Sequence, residues 1–168
     1  MLSSEDFIAS IQKEVDIVKH LFSKIPANGF DFKPTEGQRT TLELMRYLSM
    51  CGSASTHVIT NGSDWKLWKP YTEKSLTITP ENFCNAMDEQ AAEIAAAVSK
   101  IPEADFHSVM VKHPTGDEMM LGLGLIRMPY TWLVAYRMQL FLYLKQMGVK
   151  DINTSNNWSG KDRAPATK

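Results

Sequence analysis

The chain has 168 residues, of which 43% are hydrophobic and 22% charged, and a formal net charge of -1. That length is one domain, able to bury about two-thirds of the surface its unfolded chain exposes without staples. The near-neutral charge removes any electrostatic reason to expect nucleic acid or an anionic membrane as partner. The two cysteines, Cys51 and Cys84, form neither a metal motif nor a disulfide framework, a usage that fits a reducing compartment. The first ten residues carry acidic groups where a secretion signal would carry basic ones. The most apolar region, Met119 to Met147, is interrupted by Arg127, Arg137 and Lys145, so no stretch reaches the roughly 20 apolar residues of a membrane span. A cytoplasmic protein is expected.

The first helix is expected from about Ser4 to Ile25. Phe7, Ile11, Val15, Val18, Phe22 and Ile25 recur at steps of three and four, which places them on one face. Ser3 with Asp6 makes a capping box, and Pro26, Asn28 and Gly29 stop the helix. The second helix starts at Thr40, where Thr40 and Glu43 make another capping box, and runs to Asn61-Gly62. Its inner stripe is Leu44, Tyr47, Leu48, Cys51, Ser55 and Val58. A long connection follows, and its Trp65, Trp68 and Tyr71 predict packing onto the helices. The third helix is expected with Thr79 as N-cap and Pro80 at its first position, presenting Phe83, Met87, Ala91, Ile94, Val98 and Ile101.

Phe106 to Val111 is rich in strand formers, and Pro114-Thr115-Gly116-Asp117 reads as a turn. An extended connector with at most one short strand is expected there, and no sheet. The fourth helix spans about Met120 to Gly148, with Pro129 marking a kink or a late start. It is apolar on nearly every side, so it requires burial on two sides, and a homodimer through this helix is the expected second burial. Residues 1–150 thus form one four-helix domain, and 151–168 a polar C-terminal tail unable to order itself alone.

The segment from Tyr136 to Gly148 resembles the signature of the DinB-like family, in which a histidine precedes Arg, a variable residue and Gln, then an apolar, Tyr-containing run and Gly. Leu42-Glu43-Leu44-Met45-Arg46-Tyr47-Leu48 resembles the family's Glu-Leu motif with its following histidine, and Phe32-Lys33-Pro34 resembles the linker before it. The resemblance covers about Asp6 to Gly148. It implies an all-α, four-helix bundle of the up-up-down-down type with a long connection between helices two and three. Members commonly bind a divalent ion such as Ni, Zn or Fe through three histidines and carry out metal-dependent thiol S-transfer. Motif matching puts those ligand positions at Tyr47, Trp132 and Tyr136.

None of the three is a comparable ligand. Tryptophan has only a donor N–H. Tyrosine, with a pKa near 10, suits hard high-valent iron rather than zinc or nickel. A metal-free protein is therefore expected, with no cofactor. The three side chains either fill the former metal cavity as core or line an aromatic pocket for a small, flat or amphipathic ligand.

The other candidates are weaker. His20 lies opposite the first helix's apolar stripe, which predicts a solvated histidine; His57 points off the inner stripe; His107 and His113 belong to the connector. Cys51 sits one turn after Tyr47, either as a thiol beside the pocket or as a small buried hydrophobe. Cys84 is expected in the first turn of the third helix, where a helix N-terminus lowers a thiol pKa. Gly122-x-Gly124 follows no predicted strand and is no phosphate loop. Three functions follow: a metal-free DinB-like protein with a small-molecule-binding or structural role, a thiol S-transferase-like enzyme using other ligands or Cys51, and a dimeric interaction protein. No catalytic constellation can be nominated.

Overall fold

The structure is a computed structural model describing residues 3–163. It is an all-α bundle with one small hairpin, and its core lies among four helical rods.

α1, Ser4–Phe22, starts at the Ser3/Asp6 capping box and buries Phe7, Ile11, Val15, Val18 and Leu21. Burying such a face, at roughly 1.5–3 kcal/mol per large apolar side chain, outweighs the weak propensity of its valines and isoleucines. The second rod begins as expected at the Thr40/Glu43 box but is two helices, α2 (Thr41–Leu48) and α3 (Cys51–Thr60). The break at Ser49-Met50 comes from another part of the chain. The buried side chain of Gln90 accepts hydrogen bonds from the amides of Gly52 (2.8 Å) and Ser53 (3.2 Å) and donates to the Leu48 carbonyl (2.9 Å). In an unbroken helix the Gly52 amide would bond that same carbonyl. The carboxamide has been inserted into the ladder. Gly52 makes room for it: a Cβ there would lie 3.1 Å from Gln90 Oε1, Ile94 Cδ1 and Leu133 Cδ1.

The long connection contains a 3-10 turn, Trp65–Trp68, and α4, Lys69–Ser75. α5 covers Phe83–Val98 and buries Phe83, Met87, Gln90, Ala91, Ile94 and Val98. It starts later than the Thr79-Pro80 pair predicts. Asn82 accepts from the Thr79 amide at 2.8 Å and donates to the Thr77 carbonyl at 3.1 Å, which holds 79–82 as a turn.

The connector holds more sheet than expected. β1 (Met110–Lys112) and β2 (Glu118–Met120) pair antiparallel with Val111 opposite Met119, and both of these face the core. Gly116, at φ +97°, supplies the left-handed residue the reversal needs. The turn is closed by His113 N–H to Asp117 O and Gly116 N–H to His113 O, both 2.8 Å.

The fourth rod runs as α6 (Leu121–Leu125), a π-helical turn (Ile126–Tyr130) and α7 (Thr131–Gln146). Pro129 has no amide hydrogen to give, and the Ile126 carbonyl accepts both the Thr131 amide, across the wide turn, and the Thr131 hydroxyl at 2.7 Å. α1 packs on α5 and α7, α3 on α5, and α2 on α7. Among the described residues no helix is long and apolar enough to cross a membrane.

The expected polar tail is, through residue 163, a docked segment carrying α8, Thr154–Ser159. Its order is borrowed from the bundle rather than from apolar burial of its own. Buried Arg137 donates to Glu14 at 2.6 Å, to Asn157 Oδ1 at 2.7 Å and to the Asn157 carbonyl. Lys13 donates to the Ser159 carbonyl at 2.8 Å. Residues 164–168 lie outside the described part of the chain. α8 packs on α1 and α7, so the chain itself covers one flank of the apolar fourth rod. Leu142 on α7 and Trp158 on α8 stay exposed.

Candidate functional site

The last turn of α2 and the first two turns of α7 converge. Tyr47 and Tyr136 meet with ring centroids 4.5 Å apart. Trp132, one turn before Tyr136, is linked to them through Trp68, which lies 5.6 Å from Trp132 and 6.2 Å from Tyr47. Trp65 completes the group at 6.0 Å from Trp68 and 6.3 Å from Trp132. The three motif-matched positions therefore belong to one aromatic cluster, roofed by the 3-10 turn of the long connection. All five side chains are half-buried. The indole N–H of Trp65 is buried without a hydrogen-bond partner, a cost of about 1–3 kcal/mol unless something outside the chain accepts it.

Two charged or polar groups border the cluster. Arg39 places its guanidinium carbon 4.4 Å from the Tyr47 ring centroid and 5.6 Å from that of Tyr136. Its backbone is tied to α7, because the Tyr143 hydroxyl donates to the Arg39 carbonyl and accepts from Gln139, each at 2.8 Å. His113, from the hairpin turn, reaches within 6.3 Å of Trp132. The aromatic wealth of the connection was visible in the sequence; Arg39 and His113 carried no local signal.

Burial pushes the Tyr47 hydroxyl well above the usual phenol range, and the neighbouring Cys51 and Tyr136 add to the shift. Burial likewise pushes the fully enclosed Cys51 thiol up to about 12. Cys51 is thus a small core residue rather than a nucleophile. The donor set does not fit a divalent metal. It holds an indole that only donates and two phenols, one of them firmly protonated, with the phenol rings in contact. Among the described residues, no three His, Cys, Asp or Glu side chains are grouped to hold an ion.

The geometry finds a match among solved structures. The crystal structure of a DinB-like protein, YjoA from Bacillus subtilis, superposes with a TM-score of 0.69 over 88% of this chain and 95% of that one, at 15% identity. The fold is DinB-like. No family model matches the sequence, and no curated protein matches it. At this identity the DinB-like fold is what the two chains share, and the site must be argued from its own residues.

The remaining candidates lie elsewhere. His20 is not the solvated group its helix position predicts. It is half-buried under the C-terminal segment, with Nε2 3.0 Å from Asn156 Nδ2 and 3.7 Å from Asp162 Oδ1. His57 is exposed against Tyr71, and His107 is exposed. Cys84 is second in α5, but burial raises its pKa, with Lys19 opposing and Asp88 reinforcing; the helix start does not activate it.

Proposed function

We propose that this chain is a DinB-fold protein that uses the Tyr47–Trp132–Tyr136 cluster to bind a small organic molecule without a divalent metal. The observation that carries the reading is the set of five half-buried aromatic rings, three at the motif-matched positions and two from the long connection, of which Trp65 has an unpartnered indole N–H. A site meant only as core would bury its rings and satisfy its donors. Rings left partly open with a donor to spare suit a flat or amphipathic ligand.

Two measurements test this. Elemental analysis of purified protein is expected to give far less than one equivalent of nickel, zinc or iron; a stoichiometric metal bound through Tyr47 and Tyr136 defeats the proposal. A thermal-shift ligand screen is expected to give hits that Trp132→Ala abolishes. No hit from a broad library leaves the cluster a structural brace. The thiol S-transferase alternative is disfavoured by the buried, protonated Cys51. A homodimer through the fourth rod is retained as part of the proposal on the exposure of Leu142; light scattering that gives only monomer at micromolar concentration removes it.

A further inference from the structure

We infer that the aromatic site takes an aromatic oxyanion, such as an aryl carboxylate, with Arg39 as the group that recognises its charge. This rests on the proposal of a small-molecule site and adds the ligand's chemical class.

Arg39 is exposed, yet its guanidinium is not free to wander: it lies against two tyrosine rings. The guanidinium carbon lies over the Tyr47 ring, where a cation is drawn to the ring face, and the N–H donors of the planar group lie along its edge. Among the described residues, that edge has no carboxylate within ion-pair distance and no hydrogen-bond acceptor. The nearby Glu43 is engaged by the backbone of Thr40 at 2.7 Å as the capping box of α2. A cation fixed on an aromatic wall, with its donor fork open, matches the two oxygens of a carboxylate.

The rest of the site supplies the other half of the ligand. From Arg39 the ring surface continues through Tyr136 and Tyr47 to Trp68, then Trp132 and Trp65, each in contact with the next. A ligand whose anionic head meets Arg39 would lay an aromatic body along these rings. Binding needs no covalent step, consistent with the enclosed Cys51.

The test compares 2-naphthoate with its uncharged isostere 2-naphthamide, read by quenching of tryptophan fluorescence and confirmed by calorimetry. Naphthoate is expected to bind about tenfold or more tightly than the amide. Arg39→Gln is expected to erase that difference by weakening naphthoate alone. Arg39→Lys is expected to restore part of it, since charge remains but the fork is lost. Arg39 is exposed, so both variants should melt like the parent; the comparison is made on variants that do. Equal binding of acid and amide, unchanged by Arg39→Gln, overturns the assignment of Arg39 and leaves the aromatic site standing. Binding of neither compound overturns the oxyanion inference as well, and the outcome of the thermal-shift screen then separately decides the broader site.

Discussion

Replacing Gln90 with leucine tests how the second rod is built. The leucine is close in volume, but it removes one acceptor and one donor that together serve the Gly52 and Ser53 amides and the Leu48 carbonyl. Each of those three groups is buried, and an unsatisfied one costs about 1–3 kcal/mol. The amides share a single acceptor, so the losses do not simply sum. The gap could close into a direct Gly52-to-Leu48 bond only if α3 slid toward α2, and the close packing of Gly52 against Ile94 and Leu133 opposes that. We expect Gln90→Leu to lower the unfolding free energy by about 2–5 kcal/mol, read as a lower urea midpoint with an unchanged slope. Gln90→Glu supplies a sign check. Its carboxylate can still accept from the two amides but repels the Leu48 carbonyl, so that variant should gain stability as pH falls and the group becomes a donor. A Gln90→Leu midpoint within error of the parent, with amide exchange in residues 47–53 unaltered, would refute the inserted-carboxamide account.

Three further outcomes follow from the buried polar groups. Arg137→Met should cost about 3–5 kcal/mol in chemical denaturation because it strands Glu14 in the interior, and adding Glu14→Leu should recover much of the loss. Asn156 Oδ1 accepts from the Asn153 amide, so its Nδ2 must be what faces His20, which makes His20 Nε2 an unprotonated acceptor. Burial lowers the His20 pKa, against the opposing pull of Asp162 and with help from Lys24. A depressed histidine contributes stability that is whole above its unfolded value near 6.5 and is lost as pH falls below it; the protection factors of the α8 amides, with the intrinsic exchange rate at each pH divided out, should therefore fall from pH 7.5 to 5.5, and His20→Gln should flatten that dependence. Finally, a thiol probe at neutral pH should label Cys84 slowly and leave Cys51 untouched in the native state; prompt labelling of Cys51 would contradict its burial.

What could be read from the sequence was what neighbours in the chain decide. The Ser3/Asp6 and Thr40/Glu43 boxes lie within one turn, and the stripe Phe7, Ile11, Val15 and Val18 is a pattern of spacing, so both appear in the structure as expected; at its end the structure buries Leu21 in place of Phe22 and stops the helix before Ile25. The break after Leu48 depends on Gln90, which no local pattern links to it. The second strand needed Met119 to find Val111 and the core together. The C-terminal segment is too polar to order alone, and what orders it is distant in sequence: Arg137 and Lys13 donate to its carbonyls and amide oxygen, and its Asn156 amide donates to His20. The site divides the same way. Resemblance to a family motif gave Tyr47, Trp132 and Tyr136, whereas Arg39 enters only through the fold, tied by its carbonyl to Tyr143.

The π-helical turn at Ile126–Tyr130 also bears on how this rod tolerates change in length. A π turn is an α turn carrying one surplus residue, with the helix resuming on either side. Leu121–Leu125 faces the hairpin and Thr131–Gln146 faces the aromatic site and α1, and the wide turn between these two commitments takes up the surplus residue. A single-residue deletion here would be absorbed as an ordinary turn and leave Trp132 and Tyr136 close to their present direction, whereas a deletion within Thr131–Tyr136 would swing Tyr136 about 100° around the rod relative to the hairpin. The turn works as slack in the rod: the chain can lose its spare residue there and keep both ends in phase, and nowhere else along the rod.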